Sequence, residues 1–239
     1  MRALSLVLVG VSAAFAAGGA SFIELRRPDG QASAGKTGAR TASEVAYKGK
    51  GYEVLVNTTK PGPGKVVKAD QQLVMVHMNE SQWEDSSGKS MTRRRGDVSL
   101  IMPGQEFGAN RVKPGSVDET FVVRSEAGAA GEALMKTYTF DPAGPKRGPE
   151  ALSTTVQLCK GCAIDVELLA FRQIVVFGAS ATNDLLFWPA AGTVTVSVGS
   201  KSHKLSGNRV LRVPAGSEGP IKLVPEGGKL AQVLRFTPR

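Results

Sequence analysis

The alternation of hydrophobic and polar positions predicts short β-strands along most of the chain. Residues 52–56 alternate as a strand does, and the Pro/Gly-rich segment 60–64 then turns the chain. The same criteria predict strands at 73–78, 121–124, 134–140, 166–171, 174–177, 185–188, 193–198, 210–213 and 230–236. The sequence contains no amphipathic helical pattern of three turns. We therefore expect an all-β protein built as a pair of barrels.

One strand occurs twice together with the turns on either side of it. The segments R-G-D-V-S-L-I-M-P-G and S-G-N-R-V-L-R-V-P-A-G place Gly96 and Gly207 seven positions before Pro103 and Pro214. Glycine permits the turn before each strand, and proline, which lacks an N–H donor, ends it. The two copies are offset by 111 residues. A repeated unit of this kind indicates a repeated domain.

The 111-residue offset extends to both sides of these segments without a gap. Residues 73–76 fall on 184–187, and residues 121–124 fall on 232–235. The sequence therefore predicts an internal duplication. The predicted organisation is a signal peptide or uncleaved anchor (1–20), a flexible leader (21–46), an N-terminal barrel (47–140), a linker with the cysteines (141–163) and a C-terminal barrel (164–239).

A pattern of acidic, glycine and proline residues marks the second copy. It consists of Asp184, Gly192, a turn at Gly199, Gly207, Pro214 and Gly216. This order, an acidic residue, a strand ending in Gly, a hairpin, then Gly, a strand and Pro-x-Gly, resembles the cupin family. The first copy matches at Gly96, Pro103 and Gly104 but has Ser81 where Gly192 falls. The resemblance covers 52–126 and 164–236 and implies a bicupin, with two double-stranded β-helix (jelly-roll) barrels.

The resemblance also indicates where a cupin metal site would lie. Most enzymatic cupins bind a metal through His-x-His, a later Glu, and a His five residues after the Pro, because several ligands must converge inside the barrel. The His-x-His positions fall at 66–70 and 177–181, and the later His positions at Gly108 and Gly219. No histidine occupies any of them. We therefore expect no cofactor and no bound transition metal.

Carboxylates remain as candidate catalytic residues. Asp184 and Glu218 lie near the vacated metal position of the second copy, and Asp70 and Glu106 lie near that of the first. Opposed carboxylates at a barrel mouth could act as acid and base on a sugar. The alternative is that all four are charges of turns and loops.

Three residues of the second copy are candidate ligand-binding residues. An open barrel lined by Asp184, Trp188 and Arg212 would favour binding or catalysis, because Trp188 could stack on a sugar ring. A tryptophan within L-L-F-W also suits a hydrophobic core, and that alternative stays open.

The two cysteines, Cys159 and Cys162, form a C-K-G-C motif. A redox-active pair needs a helix N-terminus to lower a thiol pKa, and no helix is predicted here. A zinc site needs further ligands, and His77 and His203 are the only histidines. Haem attachment would need a histidine where Ala163 stands. A structural disulfide closing a small loop is the plain interpretation in an exported protein.

The N-terminal segment has the features of an export signal. Arg2 supplies positive charge, residues 3–20 are apolar and small, and both 14–16 and 18–20 have the small-x-small form that signal peptidase accepts. The alternative is an uncleaved anchor, since the apolar run nearly reaches spanning length and the arginines at 26–27 end it. We expect a periplasmic or extracellular protein, anchored to the membrane if the segment is retained.

Charge and composition narrow the function classes. The formal net charge of +9 suits either an anionic cell-envelope surface as partner or simple solubility. No Lys/Arg run is interleaved with aromatic residues, so nucleic acid is not expected as a partner. Two functions remain: a non-catalytic binding or interaction protein for a small molecule, glycan or protein, and a metal-independent enzyme of the sugar isomerase or epimerase type using barrel carboxylates. A polar cavity in either barrel would favour binding or catalysis over a structural role.

Export and oxidation can be tested together. The mature chain is expected to begin between Ala17 and Phe22 and to carry a Cys159–Cys162 disulfide. N-terminal sequencing of protein recovered from the cell envelope, with intact mass before and after reduction, checks both. Free thiols in that protein would contradict the disulfide, and an intact Met1 would contradict cleavage.

Overall fold

Strands make up nearly all of the regular structure. The computed structural model describes residues 19–27, 41–62, 64–126, 132–133, 136–144 and 153–239. The strands are β1 (Ser21–Glu24), β2 (Thr41–Lys48), β3 (Tyr52–Thr59), β4 (Val67–Lys68), β5 (Leu73–His77), β6 (Ser81–Glu84), β7 (Ser90–Arg93), β8 (Val98–Ile101), β9 (Glu106–Phe107), β10 (Arg111–Val112), β11 (Asp118–Ser125), β12 (Glu132–Ala133), β13 (Thr137–Tyr138), β14 (Ser153–Lys160), β15 (Ile164–Phe171), β16 (Val175–Gly178), β17 (Leu185–Ala191), β18 (Val194–Val198), β19 (Lys201–Leu205), β20 (Arg209–Val213), β21 (Pro220–Pro225) and β22 (Ala231–Pro238). Within these ranges the one helical element is the short 3-10 turn Glu226–Gly228, and no helix has the length and apolar character needed to cross a membrane. The predicted all-β class is confirmed.

The two largest sheets share one strand order. The six-stranded sheet runs β13-β8-β5-β11-β3-β2, and the seven-stranded sheet runs β1-β20-β17-β22-β15-β14-β12. In each, the same succession of antiparallel pairs is followed, from β8 to β2 in the first and from β20 to β14 in the second. One further strand, β13 or β1, extends the sheet beside β8 or β20. The sheets therefore show the duplication of topology that the sequence predicts.

Smaller sheets close each large sheet into a barrel, and they differ between the two halves. In the C-terminal half, the four-stranded sheet β16-β21-β18-β19 is continuous. In the N-terminal half, the second layer consists of two separate pieces, the sheet β10-β6-β7 and the ladder β4-β9. The N-terminal barrel is therefore less completely closed by backbone hydrogen bonds.

The strand ladders correct the register of the repeat. Leu73 pairs with Ile101 in the first large sheet, and Leu185 pairs with Val213 in the second. Both members of the pair are therefore shifted by 112 residues between the copies, not by the predicted 111. Because successive side chains of a strand point to opposite faces, this difference of one residue exchanges the faces assigned to every position.

The predicted superposition of Gly96 on Gly207 and of Pro103 on Pro214 is accordingly wrong by one residue. In the turn that follows each strand, the carbonyl of Met102 holds the place of the carbonyl of Pro214. Glycine and proline mark the turns of both copies, but turns accept them at neighbouring positions. Hydrogen-bonded ladders permit no such shift.

The corrected register changes the counterpart of Trp188. Val76 pairs with Phe121, and Trp188 pairs with Leu234, in matching ladders of the two sheets. Val76, not His77, is therefore the counterpart of Trp188. Val76 and Trp188 both lie in the core between the large sheets, whereas His77 faces the inside of its own barrel.

Two segments predicted to be irregular contain strands. The predicted flexible leader (21–46) includes β1, which pairs with β20, and most of β2, while the predicted linker (141–163) includes β14, which pairs with β15. Ile23 and Leu25 are buried in the shared core, so the segment around β1 is packed and not flexible. The predicted signal peptide lies outside the described residues except for its last two positions.

An aromatic core joins the two barrels. The ring of Phe121 on β11 lies 5.3 Å from that of Trp188 on β17 and 5.7 Å from that of Phe236 on β22. All three side chains are fully buried. The large sheets therefore pack face to face, and their contact is an apolar core of its own.

Arg95 links the barrels beside this core. Its guanidinium lies 4.4 Å from the centre of the Trp188 ring and donates hydrogen bonds to the carbonyls of Met78, Pro189 and Gly207. A further bond goes to the side-chain oxygen of Asn208 (2.6 Å). Burial lowers the pKa of the Arg95 guanidinium. The side chain thus bonds to acceptors from both halves of the chain.

Cys159 and Cys162 form a disulfide where the hairpin of β14 and β15 meets the N-terminal barrel. Both are buried. Gln72 of the N-terminal barrel donates to the carbonyl of Ile164 (3.0 Å) and accepts from its N–H (2.8 Å). The buried position of the pair suits a structural bond rather than a reactive one.

Removing the Arg95 side chain tests the link between the barrels. Arg95→Ala would leave buried carbonyls without donors, and we expect a loss of about 2–4 kcal/mol of unfolding free energy, since hydrogen bonds to charged groups are the stronger kind. Denaturant unfolding measures it. Arg94→Ala is the matched control, because Arg94 is exposed, and it should remain within about 0.5 kcal/mol of the parent. Equal stability of the two variants would contradict the role given to Arg95.

Candidate functional site

The interior of the C-terminal barrel is filled with apolar side chains. They come from the seven-stranded sheet and from the four-stranded sheet that faces it: Leu169, Phe171, Leu185, Phe187, Val194, Val196, Leu205, Leu211, Val213, Ile221, Leu223, Ala231 and Val233. Each is buried. This barrel is a hydrophobic core, which is the arrangement that favours a structural role.

The three predicted ligand-binding residues lie between the barrels and not inside one. Trp188 has no exposed surface and packs against Phe121. Arg212 and Asp184 form an ion pair (2.6 Å) that reaches the hydroxyl of Tyr52 in the N-terminal half. The expected ligand site in the C-terminal barrel is therefore wrong, because the corrected register turns these side chains toward the neighbouring sheet.

The hydrogen bonds of Asp184 hold it as a structural carboxylate. It accepts hydrogen bonds from Tyr52 Oη (2.7 Å), Arg212 Nε (2.6 Å) and the N–H of Ala215 (3.0 Å). Burial raises the pKa of Asp184, but the bonds from Arg212, Ala215 and Tyr52 outweigh it and hold the pKa below its usual range. Burial and the bond to Asp184 raise the pKa of Tyr52. An ionised carboxylate with these partners fixes the interface rather than exchanging protons.

The N-terminal barrel encloses a cavity of about 450 Å³. Its lining comes from the inner face of the six-stranded sheet and from the split second layer: Thr41, Asn57, Thr59, Met75, His77, Trp83, Arg93, Ser99, Leu100, Ile101, Gln105, Glu106, Phe107, Gly108, Ala109, Asn110, Asp118, Thr120, Lys136 and Thr137. Most of these side chains are polar. The cavity lies where the C-terminal barrel has its hydrophobic core.

Corresponding positions show how one barrel came to be filled and the other open. At the offset fixed by the ladders, the N-terminal barrel has Asn57, Thr59, Ser99, Asp118 and Thr120 where the C-terminal barrel has Leu169, Phe171, Leu211, Ala231 and Val233. The backbone positions are equivalent, so the side chains alone decide whether the interior is polar. Smaller polar side chains leave the space that Leu and Phe occupy in the other barrel.

A chain of hydrogen bonds crosses the wall of the cavity. Nδ1 of His77 lies 2.8 Å from Oδ1 of Asp118, which also accepts a hydrogen bond from Ser81 Oγ (2.5 Å). Trp83 Nε1 donates to Ser81 Oγ (3.0 Å). His77 and Asp118 are 3% and 1% exposed. The carboxylate therefore fixes the imidazole, whose Nε2 makes no hydrogen bond to the described residues.

Comparison with solved structures decides the fold. The cupin 2 conserved barrel domain protein from Leptotrichia buccalis matches with a TM-score of 0.59 and 10% identity, covering 85% of this chain and 91% of that chain. The chain has the cupin fold. No protein-family model and no curated protein matches its sequence.

Other cupin-fold matches carry different names. Salicylate 1,2-dioxygenase from Pseudaminobacter salicylatoxidans matches with a TM-score of 0.58 and 12% identity, covering 81% of this chain and 72% of that one. The putative glyoxylate induced protein from Pseudomonas aeruginosa matches with a TM-score of 0.57 and 12% identity, covering 83% and 79%. At such identities the likeness shows the fold and not the activity.

The donors in these cupin barrels do not fit a cupin-type metal. Among the described residues, no three side chains of His, Cys, Asp or Glu come together in a way that could hold an ion. His77 and Asp118 are near each other, but they bond to one another and to Ser81 rather than converging on a common point. Positions 66–70 and 177–181 contain no histidine. We derive no chemistry through a metal.

The predicted carboxylate pairs do not form a site. Asp70 and Glu218 are exposed. Glu106, on β9, is the one of these carboxylates that lines the cavity, and it lies opposite Lys68 in the β4-β9 ladder. Asp184 belongs to the barrel interface. The carboxylate that does belong to the cavity, Asp118, was not among the candidates.

The missed site residues had a local signal that strand boundaries hid. The predicted strand 121–124 begins too late, since β11 starts at Asp118. Asp118 and Thr120 therefore counted as loop residues, although they point alternately into the barrel. Polar residues spaced by two on a buried strand, as Asn57 and Thr59 also are, mark a polar interior when the whole strand is recognised.

Proposed function

We propose that this cupin-fold protein binds a small polar molecule inside its N-terminal barrel and that the C-terminal barrel stabilises it. The observation that carries the proposal is the polar cavity of about 450 Å³ at positions where the other barrel is packed. Ligand pockets of proteins measure about 300–1,000 Å³ and combine apolar walls with a few placed polar groups. Met75, Leu100 and Ile101 supply the apolar wall here.

Asn57 supports a ligand more directly. Its side-chain oxygen is buried without a hydrogen-bond partner in the described part of the chain. A buried polar atom left in this way costs free energy unless a ligand or water satisfies it. Asn57 lines the cavity, so a bound molecule with a donor group would satisfy that oxygen.

The place of action is proposed to be the periplasm or the extracellular space. The apolar N-terminal segment supports it, and so does the buried Cys159–Cys162 disulfide, because disulfides persist in oxidising compartments. The net charge of +9 fits an anionic envelope surface as a neighbour.

Binding is tested with a variant that copies the C-terminal barrel. Asn57→Leu places the residue found at the equivalent Leu169, and we expect the affinity of any bound compound to fall at least about tenfold, the effect of losing one buried hydrogen bond. Thermal shift over a panel of sugars, polyols, amino acids and organic acids finds the compound, and titration measures the affinity.

Thr92→Val is the matched control, since Thr92 is exposed on β7, outside the cavity. It should bind as the parent does. Asn57→Leu should also fold as well as the parent, because the removed oxygen has no partner. A panel with no stabilising compound, or unchanged binding by Asn57→Leu, would contradict a ligand in this cavity.

A second candidate function is metal-independent acid–base catalysis, which the His77–Asp118 pair favours. Asp118 accepts from Ser81, so it is placed to accept the Nδ1–H of His77 as well, and this leaves Nε2 unprotonated in the neutral ring. Nε2 could then take a proton from a carbon next to a carbonyl group and return it, while Asp118 stabilises the imidazolium. An isomerase or epimerase would use that step.

Deuterium exchange tests the second candidate. Aldoses and ketoses are incubated with the protein in D₂O, and deuterium at the carbon next to the carbonyl is followed by NMR. His77→Gln and Asp118→Asn should lower the exchange rate by about 100-fold or more, a typical contribution of a positioned base. His203→Gln, in the other barrel, is the control and should retain the rate. No exchange above the protein-free blank would exclude this activity for those sugars.

A further inference from the structure

Three consecutive arginines have three different environments. Arg95 is bonded at the barrel interface, and Arg94 is exposed to solvent. Arg93, the last residue of β7, is half-buried and lines the cavity of the N-terminal barrel. Alternation along the strand places Arg93 and Arg94 on opposite faces.

The register of β7 places Arg93 beside the hydrogen-bond chain of the cavity wall. Arg93 lies directly opposite Ser81 of β6 in the antiparallel ladder. Directly opposed residues of a ladder share a face, so the guanidinium lies on the side where Ser81 bonds to Asp118. The cation therefore faces the inside of the barrel close to the His77–Asp118 pair.

Arg93 has no acidic partner within the described residues, unlike most half-buried arginines of the chain. Ion pairs join Arg111 to Glu84, Arg124 to Glu53, Arg212 to Asp184 and Arg235 to Glu167. No such pair and no side-chain hydrogen bond of Arg93 is found in the described ranges. A second cation, Lys136, lines the cavity and likewise has no side-chain partner there.

The carboxylates of the cavity are engaged elsewhere. Asp118 accepts from Ser81 and lies against His77. Glu106 is exposed, and Lys68 lies opposite it across the β4-β9 ladder. The unmatched charge facing the cavity is therefore positive, with a guanidinium fork that suits a planar carboxylate.

Building on the proposed binding function, we propose that the cavity ligand is a small organic acid whose carboxylate binds Arg93. Lys136 adds a second positive charge to the same space, and Met75, Leu100 and Ile101 contact the apolar part of the acid. A neutral sugar would leave both cations without partners. The geometry thus selects an anion from among the small molecules that the volume admits.

The test compares acids with uncharged analogues. A panel of small monocarboxylic acids is titrated beside the primary amide of each acid, and phosphate monoesters beside their parent alcohols. Binding is followed by tryptophan emission, because Trp83 lines the cavity while Trp188 is buried in the interface. We expect at least one acid to bind and its amide to bind at least about tenfold more weakly.

Variants of the arginine run assign the effect to one side chain. Arg93→Ala should weaken binding of that acid by about 10- to 100-fold, the effect of losing a charged hydrogen bond, and Arg93→Lys should recover part of it. Arg94→Ala is the control and should bind as the parent does. Binding should also weaken as salt rises. Thermal unfolding of each variant checks that the fold is retained.

The outcomes separate this proposal from the binding function itself. If neutral compounds bind and Arg93→Ala binds them equally well, the cavity is a ligand site but the carboxylate assignment is overturned. If phosphate monoesters bind and no carboxylic acid does, the carboxylate assignment is likewise overturned. If no compound of any class binds, both proposals are overturned. Equal loss in Arg93→Ala and Arg94→Ala would reduce the effect to general surface charge and would also overturn it.

Discussion

Each strand of the two large sheets contributes to two cores at once, and the rest of the structure depends on this requirement. One set of alternate side chains packs between the sheets, and the other set faces the inside of its own barrel. Phe121 and Trp188 belong to the first set, whereas Thr120 and Phe187 belong to the second. The shared core is closed on both sides, so its members are apolar in both copies. Chemical difference between the copies is therefore confined to the barrel interiors and the surface.

The two interiors use that freedom in opposite ways. In the C-terminal barrel, a continuous four-stranded sheet covers side chains such as Leu169 and Phe171, and full burial of each such side chain contributes about 1.5–3 kcal/mol. In the N-terminal barrel, the matching positions hold Asn57 and Thr59, and the covering layer is divided into two pieces. The filled barrel and the shared core supply stability that an open, polar barrel lacks. Arg95 and the Asp184 ion pair then fix one barrel against the other.

What could be predicted from the sequence follows from which features are local. Strands such as β15 and β17 are buried on both faces, so their apolar runs are evident from the sequence alone. The register of the repeat was not evident, because Gly96 and Gly207 report turns, and turns tolerate a shift of one residue. That single shift placed Trp188 in a barrel interior and hid the polar face around His77. Strand β1 was also beyond prediction, since its partner β20 lies at the far end of the chain and local pattern does not encode such pairing.

The polar interior of the N-terminal barrel is difficult to explain by stability alone. A buried amide or hydroxyl without a hydrogen bond costs about 1–3 kcal/mol by mutational measures, and Asn57 holds such an oxygen. The C-terminal barrel shows that the same backbone positions accept Leu and Phe without disturbing the shared core. A barrel with only a structural role would therefore be more stable with apolar residues at those positions. Departures from local stability rules concentrate at functional sites, and the N-terminal cavity combines several: the partnerless Asn57 oxygen, the buried His77–Asp118 pair and the unpaired Arg93.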